Sequence, residues 1–154
     1  MDAVTYPHGG VERRLQESFV AVRIHIGENQ ELAKHFFAVW TPGLLFLDGQ
    51  ANIHYRAYGF HPPEDFEHLL HVGHGMTLLN QGKVEPALAV FKRAAEDPER
   101  TALQPEAIYW TGVCRYKSGD KEGMPQEWTR LLDLYPDSPW AHKVEFIKPR
   151  AAAV

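Results

Sequence analysis

Three histidines, His68, His71 and His74 in the run HLLHVGH, are the side chains whose type and spacing most invite chemistry, since imidazoles on one helix can converge on a cation. Steps of three residues, at about 100° each, spread them over about 120° of helix surface, and no carboxylate or thiolate completes a tetrahedral set. They are therefore expected to be surface and interhelix histidines, with no metal or cofactor. His8, His25, His35, His54, His61 and His142 show no ligand spacing among themselves. Glu64, Asp65 and Glu67 cluster where a helix should begin, which favourable placement at a helix dipole explains without catalysis. Cys114 is the only cysteine, so a two-cysteine redox motif or thiolate cage is excluded, and a small buried apolar side chain is its expected role. No serine sits in a nucleophile elbow and no glycine-rich phosphate loop is present, so no catalytic residue is assigned.

The 154 residues suffice for one domain or two small ones. Apolar residues at 44% and charged residues at 23% are ordinary for a globular chain. A net charge of −4 lacks the basic footprint that draws phosphates, so nucleic acid and anionic membranes are discounted as partners. No run approaches the ~20 apolar residues of a membrane span. Glu12, Arg13, Arg14 and Glu17 stand where a signal peptide would be apolar, and a cytoplasmic location is expected.

The elements that must position any site follow from periodicity. Val11, Leu15 and Phe19 form one stripe of a short helix, after which VAVRIHI, residues 20–26, alternates β-branched residues with Ala21, Arg23 and His25 and predicts a strand. A helix is expected from about Glu28 to Phe37. Thr41 and Pro42 lead into the apolar run GLLFL, Asp48-Gly49 is a hairpin signal, and a partner strand should span Ala51–Tyr58. Pro62 and Pro63 open a helix running to about Gln81.

Beyond that point the pattern is helical and repeats. Gly75, Gly82, Ala87, Phe91 and Ala94 have the same separations as Gly112, Gly119, Met124, Trp128 and Leu131, at an offset of 37 residues. Such a helix pair cannot bury its apolar face alone and must stack on a neighbour. This spacing resembles the tetratricopeptide repeat over about residues 68–146. The resemblance implies that Gly75, Gly82, Ala87, Phe91, Gly112, Gly119 and Trp128 pack the repeats. Glu99 in the place of the usual proline, and Met124 in the place of a small residue, depart from the pattern. The aromatics Tyr109, Trp110, Tyr116, Trp128, Tyr135 and Trp140 could line a groove, but repeat packing is their expected role.

Residues 1–70 resemble the thioredoxin family, with VAVRIHI as a strand, WTP as the cis-proline loop, LLFLDGQANIHYRAYGF as the hairpin and PPEDFEHLL as the last helix. The fold class expected is thus α/β in front, a partial thioredoxin-like fold, followed by all-α repeat hairpins. The expected division is 1–70, 71–147 and a flexible tail at 148–154. In the family a further strand lies between those at VAVRIHI and GLLFL, so the resemblance implies that this strand and a Cys-x-x-Cys motif precede Met1. It also implies a peptide-docking edge at Trp40, Thr41 and Pro42.

The function these readings favour is a non-catalytic, thioredoxin-like protein with helical repeats that binds a protein or peptide partner. The alternative is a thiol-disulfide oxidoreductase of cell redox homeostasis whose cysteines lie upstream. An incomplete sheet edge would also make the chain a homodimer.

Overall fold

Helix α3 (Pro63–Asn80) is buried on two sides, and the rest of the chain is arranged around it. The computed structural model describes residues 1–99 and 101–148. Helices α1 (Gly9–Ser18) and α2 (Gln30–His35) precede the strands β1 (Gly43–Leu47) and β2 (Ile53–Tyr58). After α3 come α4 (Val84–Ala95), α5 (Gln104–Lys117), α6 (Gly123–Leu134), the single turn α7 (Pro139–His142) and a 3-10 turn at Glu145–Ile147.

One side of α3 contributes Phe66, Leu69 and Leu70 to a cluster with Val11 of α1 and Phe46 of β1. Phe46 lies over Gly73, where a side chain would occupy its ring. The opposite side contributes Val72 to the main core, with Phe91, Ile108 and Leu131. Apolar residues on both sides of a helix are what burial between two layers requires. The expected boundary at 70/71 therefore falls inside one continuous helix that serves both units.

The helical pairs follow the 37-residue offset closely. A Cβ on Gly75 would lie 2.6 Å from the Phe91 ring, and one on Gly112 would lie 2.5 Å from Trp128. Gly82 and Gly119, at φ +76° and +95°, make the turns between the helices of each pair. The carbonyl of the buried Ala95 at the end of α4 accepts from Arg130 Nη2 (2.6 Å) and from Gln104 Nε2 (3.2 Å), so the second pair caps the first. Ser138 Oγ accepts the Ala141 N–H at 3.0 Å and starts α7.

The front unit is smaller than its pattern suggests. Strands β1 and β2 pair antiparallel, Gly43 with Tyr58 through Phe46 with Tyr55, with a bulge at Phe46/Leu47, and form a two-stranded sheet. Their connection is a loop over Asp48–Asn52 rather than a two-residue turn, and Ala51 takes φ +63°. The Asp48 carboxylate accepts the N–H groups of Gln50 and Asn52 (2.9 Å each) and Nδ2 of Asn52 (3.0 Å). The Asn52 side chain first, then His54 Nε2 at 3.0 Å from Oδ2, and the backbone bonds hold Asp48 below the usual carboxylate range.

Two expectations need correction. Residues 20–26 form no strand, because alternation becomes a strand only when another backbone supplies its hydrogen bonds. The helix expected over 28–37 is reduced to Gln30–His35 and buries no residue. The two-stranded sheet among the described residues does not by itself show a thioredoxin fold. Of the tail expected at 148–154, residues 149–154 lie outside the described residues.

Candidate functional site

From Val20 to Thr41 no residue is buried. Val20 is 93% exposed, Val22 75%, Ile24 42% and Ile26 38%, and Phe37, Val39 and Trp40 are exposed too. Apolar patches beyond a few hundred Å² on a monomer mark interaction sites. Among the described residues no backbone N–H from Val20 to Ile26 donates a hydrogen bond to a backbone carbonyl, although Arg23 pairs with Asp2 at 2.8 Å.

This arm leads into the outer edge of β1. The Gly59 N–H donates to the Pro42 carbonyl at 2.9 Å, which makes Pro42/Gly59 a hydrogen-bonded pair. Antiparallel alternation then gives the same role to Leu44/Ala57 and Phe46/Tyr55, so Gly43 and Leu45 turn their N–H and C=O groups away from β2. Leu44 and Phe46 face the core, whereas Leu47 is exposed. Tyr58 Oη donates to the Phe37 carbonyl at 3.3 Å and ties the arm to the sheet. The Thr41–Pro42 peptide is cis, with Thr41 exposed and Pro42 half-buried beside the exposed Trp40. The expected docking residues therefore sit where arm and free edge meet.

The helical region offers a second surface. Tyr109 of α5 stacks on Trp128 at 5.6 Å and meets Trp140 at 5.0 Å, and Lys143 Nζ lies 4.9 Å from the Trp140 ring. Trp128 is buried and its Nε1 donates to the Tyr109 carbonyl at 3.1 Å. Tyr109, Trp110, Tyr135 and Trp140 are half-buried, and Tyr116 is exposed. The aromatics thus divide between packing and surface.

Part of α5 is covered by the chain itself. Tyr55 of β2 donates from Oη to Glu106 Oε2 at 2.9 Å, and Trp110 Nε1 donates to Oε1 at 3.3 Å. Burial raises Glu106 above the usual carboxylate range, the two hydrogen bonds opposing it. No signal in the sequence pointed to this contact, which joins residues 51 positions apart.

The histidines of HLLHVGH serve different surroundings. His68 is buried and His71 half-buried, and their Nδ1 atoms lie 3.2 Å and 2.9 Å from the carbonyls of Glu64 and Glu67. His74 packs edge-on to Phe19. Desolvation pushes His71 down to about 4, and also lowers His74. Among the described residues no group of three or more His, Cys, Asp and Glu is placed to hold a metal ion. Glu64 and Asp65 occupy the first turn of α3, and Glu67 Oε1 lies 3.3 Å from His8 Nδ1. Cys114 is buried on α5, which pushes its thiol up to about 11. No described helix is long and apolar enough to cross a membrane.

Comparison with known proteins adds to this geometry. No curated protein and no solved structure matches the chain. Residues 106–138, which span most of α5 and all of α6, match the family model described as tetratricopeptide repeat. The chain carries a tetratricopeptide-like helical region, a kind of module suited to binding proteins.

Proposed function

We propose that this protein is a non-catalytic, protein-binding module that takes up an extended peptide segment along the outer edge of β1. One observation carries the reading: a stretch from Val20 to Thr41 with no buried residue leads into a strand whose Gly43 and Leu45 backbone groups face outward. An extended segment added there would be held by main-chain hydrogen bonds and by apolar contact with the arm, the logic of strand addition. Trp40, Thr41 and Pro42 flank the start of the edge and are assigned the docking role. The tetratricopeptide-like helices carry this sheet on α3 and present the Tyr109/Trp140 surface to a further part of the partner.

The finer reading, a thioredoxin-like front unit, draws support from the hairpin, the cis Thr41–Pro42 peptide and the helix that follows. The pairing of 20–26 on which it also relies is not formed within the chain.

Fluorescence anisotropy with a labelled seven-residue peptide of alternating valine and threonine tests the docking. Leu45→Pro removes an outward N–H without touching a β1–β2 hydrogen bond, and edge strands tolerate proline in that situation. Binding should weaken by about tenfold or more in Leu45→Pro and in Trp40→Ala, with helix content unchanged. Equal binding by all three proteins would remove the edge from the account.

A further inference from the structure

We infer that the segment that occupies the free edge of β1 is residues 20–26 of a second copy of this chain. The inference rests on the docking reading above and names its occupant.

Both halves of the missing pairing are on one chain. VAVRIHI alternates β-branched residues, is neither helix nor strand, and among the described residues none of its backbone N–H groups donates to a backbone carbonyl, while the carbonyls of His25 and Ile26 at its end accept from Glu28 and Asn29. The β1 edge has outward N–H and C=O groups at Gly43 and Leu45. Within one molecule the two do not pair, although Phe19, next to the segment, packs on Phe46 of β1 with ring centroids 5.8 Å apart. If each of two copies gives its segment to the other, both edges are satisfied at once and the assembly closes by a two-fold axis. A foreign strand would satisfy the edge but leave 20–26 unpaired.

The area agrees. Val20, Val22, Ile24, Ile26, Val39 and Trp40 are 38–93% exposed. With Phe37 they expose roughly 800 Å² in all, which bounds what the arm can contribute towards the ~800 Å² that each partner buries in a stable interface. The segment carries one full charge, Arg23, already paired with Asp2, so burying its apolar face strands no lone ion. Unpaired alternating strands are what dimers by strand exchange and aggregates both exploit.

Sedimentation velocity of the full chain at micromolar concentration, alongside two variants, tests this. Val22→Pro disables the donated segment, where no N–H donation within the chain is lost, and Leu45→Pro disables the receiving edge. The wild-type chain should be a dimer, and each variant alone a monomer with unchanged helical circular dichroism, at least ~tenfold weaker in self-association. Mixed, the variants should form a weak heterodimer, because one intact segment then meets one intact edge. Val22→Thr with Ile24→Thr, which keeps the backbone free to pair, should weaken the dimer without a proline. A dimer that persists in both proline variants would overturn the inference, as would variants that are monomeric alone and remain so when mixed. A wild-type chain that stays monomeric yet binds the valine-threonine peptide would overturn self-pairing and leave the docking reading standing.

Discussion

Replacing Gly75 by alanine should destabilise the protein, even though alanine is the better helix former. Its Cβ would lie 2.6 Å from Cε1 and Cζ of Phe91, against an ordinary contact of 3.4–4 Å. The ring must therefore retreat by about 1 Å. Phe91 is fully buried and stacked on Trp110, with centroids 6.3 Å apart, so the retreat compresses α5 or drives α4 from α3. Overpacking of this kind costs ~1–3 kcal/mol, and the helix propensity of alanine over glycine returns up to ~1 kcal/mol. The net loss is about 1–2 kcal/mol, or a fall in Tm of roughly 3–6 °C for a chain of this size. Phe91→Ala alone should cost ~3–5 kcal/mol. In the double variant the new methyl group enters the space left by the ring, so the two losses should fall short of additive by at least ~1 kcal/mol. Urea denaturation of the four proteins measures the cycle. Gly82→Ala is a control, since at φ +76° it is strained by ~1 kcal/mol with no atom within 4 Å, and its loss should be additive with Phe91→Ala. Losses for Gly75 and Phe91 that add to within ~0.5 kcal/mol would mean that α3 and α4 do not meet there, and the equivalent Gly112/Trp128 contact would fall with it.

Glu106 is raised by burial, so the folded chain holds its proton to higher pH than the unfolded chain and stability falls as pH rises through that range. Glu106→Gln, whose oxygen can accept from Trp110 while its amide donates to the Tyr55 hydroxyl, should gain on the order of 1 kcal/mol at neutral pH and flatten that limb of a pH–stability curve. His71 has the opposite sign: held neutral down to about 4 instead of its ordinary 6.5, it costs stability as pH falls between those values. His71→Gln should remove roughly 2–3 kcal/mol of that acid loss in chemical denaturation across the window, with His74 leaving a remainder of the same sign. The buried thiol of Cys114 should react with an aromatic disulfide reagent only on unfolding, so labelling should track the denaturation midpoint. The chain should also fail to reduce insulin under dithiothreitol above the reagent background, and turnover surviving Cys114→Ser would refute the non-catalytic reading.

Local pattern in the sequence determined the helical half. Glycine, small and aromatic residues recur at fixed spacings at an offset of 37 residues, which put Gly75 with Gly112 and Phe91 with Trp128 in equivalent positions, while the gap on one helix opposite a ring on the next belongs to the tertiary structure. The GLLFL hairpin and the helix opened by Pro63 were legible for the same reason, since turn chemistry and helix starts depend on neighbours in the chain. The loop at Asp48–Asn52 was not, because a carboxylate accepting three donors overrides the two-residue turn that Asp-Gly favours elsewhere. Tertiary structure alone decided which apolar residues were covered. VAVRIHI has a strand's alternation, but a strand is a relation between two backbones, and none among the described residues accepts from its N–H groups. The two-sided burial of α3, and the Tyr55–Glu106 bond across 51 residues, likewise depend on where the chain returns in space, which no spacing along it records.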